Sequence, residues 1–366
     1  MQLNVFRALR CVPCLLWFQS PVIHEDRLTT EVNHGTRGTH GRHQRNLCVL
    51  CGKFQSRLTL PITVFETVEV DKLIHATAAG GTIRVLSAIT TDVVAEAIRR
   101  HQTAPTASAA LGRVLTGTLL MAATLKDFDR LSVKIDSSGP IGGVIAEATL
   151  DGRVRGYVQN PDAEVDPRDD GKFNVGGVIG EGTFYVIRES GFDIGLHRDP
   201  YVGSVPLVSG EIGEDFAYYL AKSEQIPSAV LLGVLLQNTE PFVRSAGGVL
   251  VQMMPGANPH LITMIEDTIA HAPHLTSVIN DGATPHDLAK LALGEIDFEV
   301  LEEKDVEFRC NCSMERAKTL IASLGRAEVE SMLADDKGAV MSCGFCSEVY
   351  QLDEGDLESI LASEAN

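Results

Sequence analysis

The clearest pattern in the sequence lies at residues 131–159, which read LSVKIDSSGPIGGVIAEATLDGRVRGYVQ. From Leu131 to Ile135, apolar residues alternate with polar ones, as in a strand with one buried face. A glycine-rich turn at residues 139–143 and an Asp-Gly turn at residues 151–152 separate two further short strands. Three strands joined by tight turns predict an antiparallel meander.

The chain around this meander mixes helical and strand patterns without strict alternation. Helical spacing predicts helices over residues 90–100, 105–126 and 215–222. Further strand patterns lie at residues 184–188, 201–208, 230–236 and 248–253. Runs of strands with intervening helices predict an α+β fold, in which residues 71–255 form a core domain of antiparallel sheets with packed helices.

The pattern changes after Pro255. Residues 256–305 carry two short helical patterns, at residues 259–271 and 285–293, and then apolar residues that alternate with acidic ones. We expect a metastable helical linker there, and we expect residues 259–301 to cover a face of the core. Residues 306–366 form a last small unit, in which helices near residues 315–324 and 356–362 flank four cysteines.

Length and charge limit the possible functions. The 366 residues are enough for two or three domains, and 44% hydrophobic with 22% charged residues is typical of soluble globular proteins. No apolar stretch approaches the roughly 18 residues of a membrane span, so no membrane partner is expected. The net charge is −18. An acidic body repels phosphate backbones, so no nucleic-acid partner is expected either.

The first 70 residues differ from the rest, because they carry eight Lys and Arg against five Asp and Glu, whereas the remainder carries 23 against 44. Residues 24–57 show no helical or strand periodicity, so we expect residues 1–70 to be a disordered extension. Three explanations compete: a transit peptide, a genuine basic tail, or a start site assigned too far upstream. The third, which we favour, predicts a cytoplasmic protein, and the first predicts a mitochondrial or plastid one. The extension contains Cys11, Cys14, Cys48 and Cys51, which imitate a second metal site but lack any core-forming pattern between them.

The last unit contains two close cysteine pairs, Cys310-Asn-Cys312 and, after thirty intervening residues, Cys343-Gly-Phe-Cys346. Four thiolates can complete a closed tetrahedral zinc site with Zn–S distances of about 2.3 Å, as in structural zinc centres. Four buried free cysteines are the alternative, but two tight pairs in one short unit are rarely accidental. The spacing therefore predicts one bound zinc ion.

The C-x-C pair predicts more than metal binding. A disulfide between residues two apart closes a small ring and is strained, which makes it labile and oxidising. Oxidised sulfurs no longer serve as thiolate ligands, so zinc is lost. Zinc supplies about 10–16 kcal/mol of folding free energy in zinc-finger peptides, so its loss is expected to unfold residues 310–366.

Four segments carry a resemblance to a known family. They are DKLIHATAA at residues 71–79, TASAALGR at residues 106–113, GGVLVQMMPGA at residues 247–257 and RCNCSMER at residues 309–316. Together with the two cysteine pairs, these segments resemble the heat shock protein 33 (33 kDa chaperonin) family. The resemblance extends from Asp71 to about Leu361.

The resemblance implies an ATP-independent holdase chaperone that binds unfolding client proteins during oxidative stress. It implies that Cys310, Cys312, Cys343 and Cys346 bind zinc in the reduced state. It also implies that oxidation pairs Cys310 with Cys312 and Cys343 with Cys346, releases zinc, unfolds the switch unit and linker, and often produces a homodimer.

Other functions remain open at this stage. The zinc unit can be a constitutive module for binding proteins or nucleic acids, which has the metal but no switching. Cys343-Gly-Phe-Cys346 also resembles the C-x-x-C of thiol oxidoreductases, but only twenty residues follow it, too few for the required βαβ fold. We find no H-E-x-x-H, no G-x-G-x-x-G and no Ser/His/Asp set, so no catalytic residue is predicted and the protein is expected not to be an enzyme.

Overall fold

The computed structural model describes residues 70–126, 129–190 and 200–363. The predictions for residues 1–69, including those for Cys11, Cys14, Cys48 and Cys51, lie outside the described residues. The described chain begins with β1 (Lys72–Ala78), β2 (Ile83–Ile89), α1 (Thr91–His101) and α2 (Pro105–Ala122). Both predicted helices are confirmed, although α2 ends four residues earlier than expected.

The predicted meander follows directly, as β3 (Arg130–Ser137), β4 (Gly143–Thr149) and β5 (Arg153–Val158). All three strands pair antiparallel with their sequence neighbours, which confirms the prediction. The core continues with α3 (Val175–Ile179), β6 (Gly182–Glu189), β7 (Tyr201–Pro206), α4 (Gly213–Lys222), β8 (Ser228–Leu236) and β9 (Val243–Met253). Of these elements, only α3 had no counterpart among the predictions.

The second half begins with three short helices, α5 (Pro259–His271), α6 (Leu275–Asn280) and α7 (Pro285–Leu293). Two strands then lead to the first cysteine pair, β10 (Phe298–Asp305) and β11 (Glu307–Phe308). The last unit contains α8 (Met314–Ala322), α9 (Arg326–Asp335), β12 (Ala339–Ser342), β13 (Val349–Leu352) and α10 (Glu354–Ser363). The sequence patterns predicted α5 and α7 with the observed bounds but missed α6, α9 and the hairpin of β12 and β13.

Three sheets form in the described part of the chain. The first has the strand order β10-β1-β2-β9-β8, and the second has the order β11-β5-β4-β3-β6-β7. The third is the hairpin of β12 and β13. Neighbouring strands are antiparallel throughout, apart from β11, which pairs parallel with β5. The α+β class with antiparallel sheets is therefore confirmed.

Helix α2 lies between the two large sheets. Of its 18 residues, all but Pro105 and Arg113 are buried. Small residues permit this close packing: a Cβ added at Gly117 would lie 2.5 Å from Cε2 of Phe216, and one at Gly112 would lie 2.8 Å from Cγ2 of Val234. Burial on every side explains why this helix is apolar all round rather than on one stripe.

The helices α5, α6 and α7 cover the face of the first sheet that points away from α2. Their apolar side chains form a second hydrophobic cluster with residues of β1, β2 and β9. The sheet contributes Ile74, Ala76, Ala78, Ile83, Val85, Val249, Val251 and Met253, and the helices contribute Ile265, Leu275, Ile279, Leu288, Ala289, Ala292 and Leu293. An apolar sheet face thus depends on the predicted linker for its burial.

The acidic end of the predicted linker is an edge strand of the core sheet. Strand β10 pairs antiparallel with β1 from Lys72 opposite Asp305 to Ala78 opposite Phe298. The main chain of β1 satisfies the hydrogen bonds of β10, while most β10 side chains stay exposed and tolerate acidic residues. The boundaries at residues 255 and 305 stay a prediction.

Asp71 is a buried carboxylate at the start of β1. Its side chain is 4% exposed, and Oδ2 accepts a hydrogen bond from the Val93 amide in α1 at 2.9 Å. Its carbonyl oxygen accepts from the Val306 amide at 2.9 Å, between β10 and β11. Burial raises the pKa of Asp71 to about 7. One residue therefore links β1, α1 and the segment that leads to the cysteines.

This pKa predicts a pH dependence of stability. Because an unfolded Asp titrates near pH 4, the folded protein holds one more proton between about pH 4 and pH 7. The free energy of unfolding is therefore expected to fall as pH rises through that window, by on the order of 1–4 kcal/mol. Asp71→Asn, which cannot ionise, should remove this fall. Urea unfolding of the unmodified protein and of Asp71→Asn, each at pH 5 and pH 7.5, measures the two free energies of unfolding. The same change with pH in both proteins would contradict the prediction.

Candidate metal centre

The second cysteine pair lies in the turn between β12 and β13. The strands align up to Ser342 opposite Val349, and the turn begins at Cys343. The Cys343 carbonyl accepts hydrogen bonds from the amides of Cys346 at 3.3 Å and Ser347 at 2.8 Å, and the Cys343 amide donates to the Glu348 carbonyl at 2.9 Å. Ser347 adopts a left-handed conformation, with φ of 57°. These bonds turn both thiols to one side of the hairpin.

The first cysteine pair lies between β11 and α8. The Arg309 amide donates to the Val154 carbonyl of β5 at 2.9 Å, which holds the chain on the core sheet just before Cys310. After Cys312, the Ser313 side chain accepts from the Arg316 amide at 3.2 Å and caps α8. The pair is therefore held between the last core strand and the first helix of the C-terminal unit.

The structure brings the four C-terminal cysteines together, although 30 residues separate the pairs in the sequence. All four sulfur atoms lie within 4.8 Å of one another. The Sγ atoms of Cys310 and Cys343 are 3.7 Å apart, and those of Cys312 and Cys346 are 3.3 Å apart. Cys310 and Cys312 are half-buried, and Cys343 and Cys346 are buried. This cluster is a candidate metal site.

The geometry suits a tetrahedral site. With metal–sulfur distances of about 2.3 Å, the sulfur atoms of a ZnS₄ tetrahedron lie about 3.8 Å apart. The separations of 3.7 Å and 3.3 Å are close to this value, and the donor set contains four sulfurs and leaves no position for water. Such a closed set is typical of structural rather than catalytic metal sites. A bound ion would supply folding free energy to the C-terminal unit by joining its two ends.

The pKa of the Cys310 thiol is lowered, whereas those of the Cys343 and Cys346 thiols are raised. Hydrogen bonds with Cys343 and Cys346, and a further one from Arg155, lower the pKa of Cys310. The hydrogen bond to Cys310 is the largest cause that raises the pKa of Cys343 and of Cys346. Negative charge is therefore favoured first on the Cys310 sulfur, where the Arg155 guanidinium donates from Nη1 at 3.3 Å.

Several core residues at this site were missed by the sequence patterns. Arg155 and Tyr157 project from β5, and Arg100 and His101 end α1. All four contact Cys310 or the turn that carries Cys343 and Cys346. The alternation in β5 places Arg155 and Tyr157 on one face, but no local pattern indicates what that face contacts.

Comparison with known proteins agrees with the fold and the cysteine cluster. The profile described as "Hsp33 protein" matches residues 71–353, more than half of the chain. The chain belongs to the Hsp33 family. The resemblance found in the sequence is therefore confirmed, and the Hsp33 match includes all four clustered cysteines.

Individual Hsp33 relatives show the same extent of similarity. The chain is 44% identical over 291 residues to the 33 kDa chaperonin of Desulforamulus reducens, covering 80% of this chain and 97% of the relative. It is also 44% identical to the 33 kDa chaperonin of Geobacillus kaustophilus, covering 79% of this chain and 97% of the relative. The crystal structure of the Thermotoga maritima Hsp33 homologue matches with a TM-score of 0.73 at 35% identity, covering 80% of this chain and 98% of that one.

These matches support a chaperone function for the chain. Among the described residues, no helix combines the length and apolar character needed to cross a bilayer.

Proposed function

We propose that this chaperone is a redox-regulated, ATP-independent holdase that prevents the aggregation of unfolding proteins under oxidative stress. In the reduced state, one zinc ion is bound by Cys310, Cys312, Cys343 and Cys346. The observation that carries the proposal is the convergence of four sulfurs within 4.8 Å, since thiols this close can either share a metal ion or form disulfides. Family membership supports the chaperone activity itself.

Oxidation is proposed to join Cys310 to Cys312 and Cys343 to Cys346. For each disulfide, two thiols lose two electrons and two protons, and one hydrogen peroxide molecule accepts them and becomes two water molecules. Disulfide sulfurs are no longer thiolate ligands, so the site loses its metal affinity. The contacts of 3.7 Å and 3.3 Å join one pair to the other, so disulfides within each pair replace the contacts that hold the two ends of the unit together.

The covered sheet face supports a link between the cysteines and client binding. Strands β10 and β11 run directly from the linker helices to Cys310. Where β10 meets β11, the Val306 amide donates to the Asp71 carbonyl at 2.9 Å, and the Glu307 amide donates to the Gly152 carbonyl at 3.1 Å. If the C-terminal unit unfolds, these short pairings lose their support, and helices α5 to α7 can leave the apolar face of β1, β2 and β9. That face would then be available to apolar segments of clients.

The remaining parts of the proposal follow the family resemblance. Partners are unfolded or partly unfolded proteins, with a second copy of the chain after oxidation. The proposed location is the cytoplasm. The alternative is a constitutive zinc module for protein or nucleic-acid binding, which would hold the same metal without a change of activity.

The proposal predicts a joint response to peroxide. At a mildly denaturing temperature, peroxide should release about one zinc ion per chain, detected with a chromogenic chelator. The treated protein should then suppress light scattering by an unfolding client, whereas the reduced protein should not. Hydrogen exchange across residues 259–301 should become faster after treatment.

The alternatives give different results. Zinc release without client protection would contradict the switch, and retention of zinc after peroxide would favour the constitutive module. Unchanged exchange across residues 259–301 together with full client protection would show that clients bind elsewhere.

A further inference from the structure

Arg155 is a core side chain in direct contact with the cysteine cluster. Its Nη1 donates to the Cys310 sulfur at 3.3 Å, and its guanidinium carbon lies 4.1 Å from the centre of the Phe345 ring. Phe345 stands between Gly344 and Cys346, within the second cysteine pair. One arginine of β5 therefore contacts both halves of the candidate metal site.

The orientation of Arg155 is set by the core. Its Nε donates to Oε2 of Glu147 on the neighbouring strand β4 at 2.9 Å, and Arg130 lies 3.6 Å from the same carboxylate. The Tyr157 ring meets the Phe345 ring edge-on, with centroids 5.4 Å apart and an angle of 87°. The guanidinium is thus oriented by a carboxylate of the core sheet.

The end of α1 holds the opposite side of the same turn. Nη1 of Arg100 donates to the Cys346 carbonyl at 3.3 Å and lies 3.4 Å from the Glu348 carboxylate. The two ring nitrogens of His101 lie 3.1 Å from the Phe345 carbonyl and 3.0 Å from the Ser347 hydroxyl. Each contact reaches a main-chain or side-chain atom whose position depends on the folded turn of residues 343–348.

We propose that Arg155, Tyr157, Arg100 and His101 form a latch, through which the core holds the metal-loaded cysteine turn and strengthens its metal binding. Four thiolates around a divalent ion leave two negative charges, and the Arg155 guanidinium offsets part of that charge. When the turn rearranges, the latch loses all of these contacts at once. Metal binding and docking on the core are therefore coupled, and each favours the other by the same free energy.

The latch proposal rests on the proposed zinc site. The experiment below distinguishes a failure of the latch from a failure of the zinc site itself. The variant is Arg155→Gln, which removes the charge and keeps a polar side chain. The matched control is Arg188→Gln, because Arg188 also pairs with a glutamate, Glu224, and has a similar side-chain exposure, 16% against 18% for Arg155. Among the described residues, Arg188 contacts Glu224 and the Tyr201 ring, and neither belongs to the metal site.

Zinc affinity is measured under reducing conditions by competition with a chromogenic chelator, and hydrogen exchange of residues 343–348 is measured with zinc saturating. Arg155→Gln should weaken zinc binding by roughly 10–100-fold, as removal of a partner of a metal ligand commonly does, and should speed exchange in the turn. Arg155→Lys, which keeps the charge, should lose less affinity. Arg188→Gln should lower the unfolding temperature and leave zinc affinity unchanged.

The outcomes are distinct. If the unmodified protein binds no zinc, the proposed function fails. If it binds zinc and Arg155→Gln binds equally well with unchanged exchange, the latch alone is wrong. An equal loss of zinc affinity in Arg188→Gln would also overturn the latch, because the effect would then be one of general core stability.

Discussion

Cys343→Ser is expected to abolish tight zinc binding and to leave the C-terminal unit unfolded under reducing conditions. Cys343 is 2% exposed, and its sulfur lies 3.7 Å from that of Cys310. A serine hydroxyl does not ionise at neutral pH and is a poor substitute for a thiolate. Since four thiolates together supply about 10–16 kcal/mol, losing one should weaken binding by roughly 100-fold to 1,000-fold. Cys310→Ser is expected to behave in the same way.

The measurement is zinc stoichiometry and affinity, with hydrogen exchange over residues 310–363 as the structural readout. Cys48→Ser is the matched control, because it makes the same substitution at a cysteine of the N-terminal extension and should leave zinc binding unchanged. Normal zinc affinity in both Cys310→Ser and Cys343→Ser would disprove the ligand assignment. Loss of zinc in Cys48→Ser would show that the N-terminal cysteines take part.

Leu288→Ala is expected to make the chaperone active without an oxidant. Leu288 is fully buried in α7 against the first sheet, and truncating a buried leucine to alanine costs about 2–5 kcal/mol. Because α5 to α7 are short and rest on one cluster, this loss should release them from the sheet and expose its apolar face. This cluster contains none of the four cysteines, so the zinc site should stay loaded. Light scattering by an unfolding client, under reducing conditions, measures the gain.

Leu120→Ala is the control for general destabilisation. Leu120 is also fully buried, but it lies in α2 within the other large cluster, between the two sheets. Its truncation should lower the unfolding temperature without speeding hydrogen exchange across residues 259–301 and without client protection. If Leu288→Ala loosens residues 259–301 yet gives no protection, the covered face is not the client-binding surface.

Local sequence patterns predicted much of the fold because their causes are local. The meander follows from alternation and tight turns, and α5 and α7 begin at prolines that suit a first helical turn. Helix α9 was missed because it lacks a one-sided apolar stripe; Val329 is its one fully buried residue. Strand β10 was placed in a linker because its acidic residues give no sign that β1 pairs with it.

The sequence by itself determined which cysteines form the candidate site, because spacing within Cys310-Asn-Cys312 and Cys343-Gly-Phe-Cys346 is a local property. It also determined the antiparallel meander and the family. Only the tertiary structure decided that β11 lies parallel to β5 and that Arg155 reaches the Cys310 sulfur, 155 positions along the chain. Such contacts result from the packing of distant segments against a shared core, and no short-range periodicity records them.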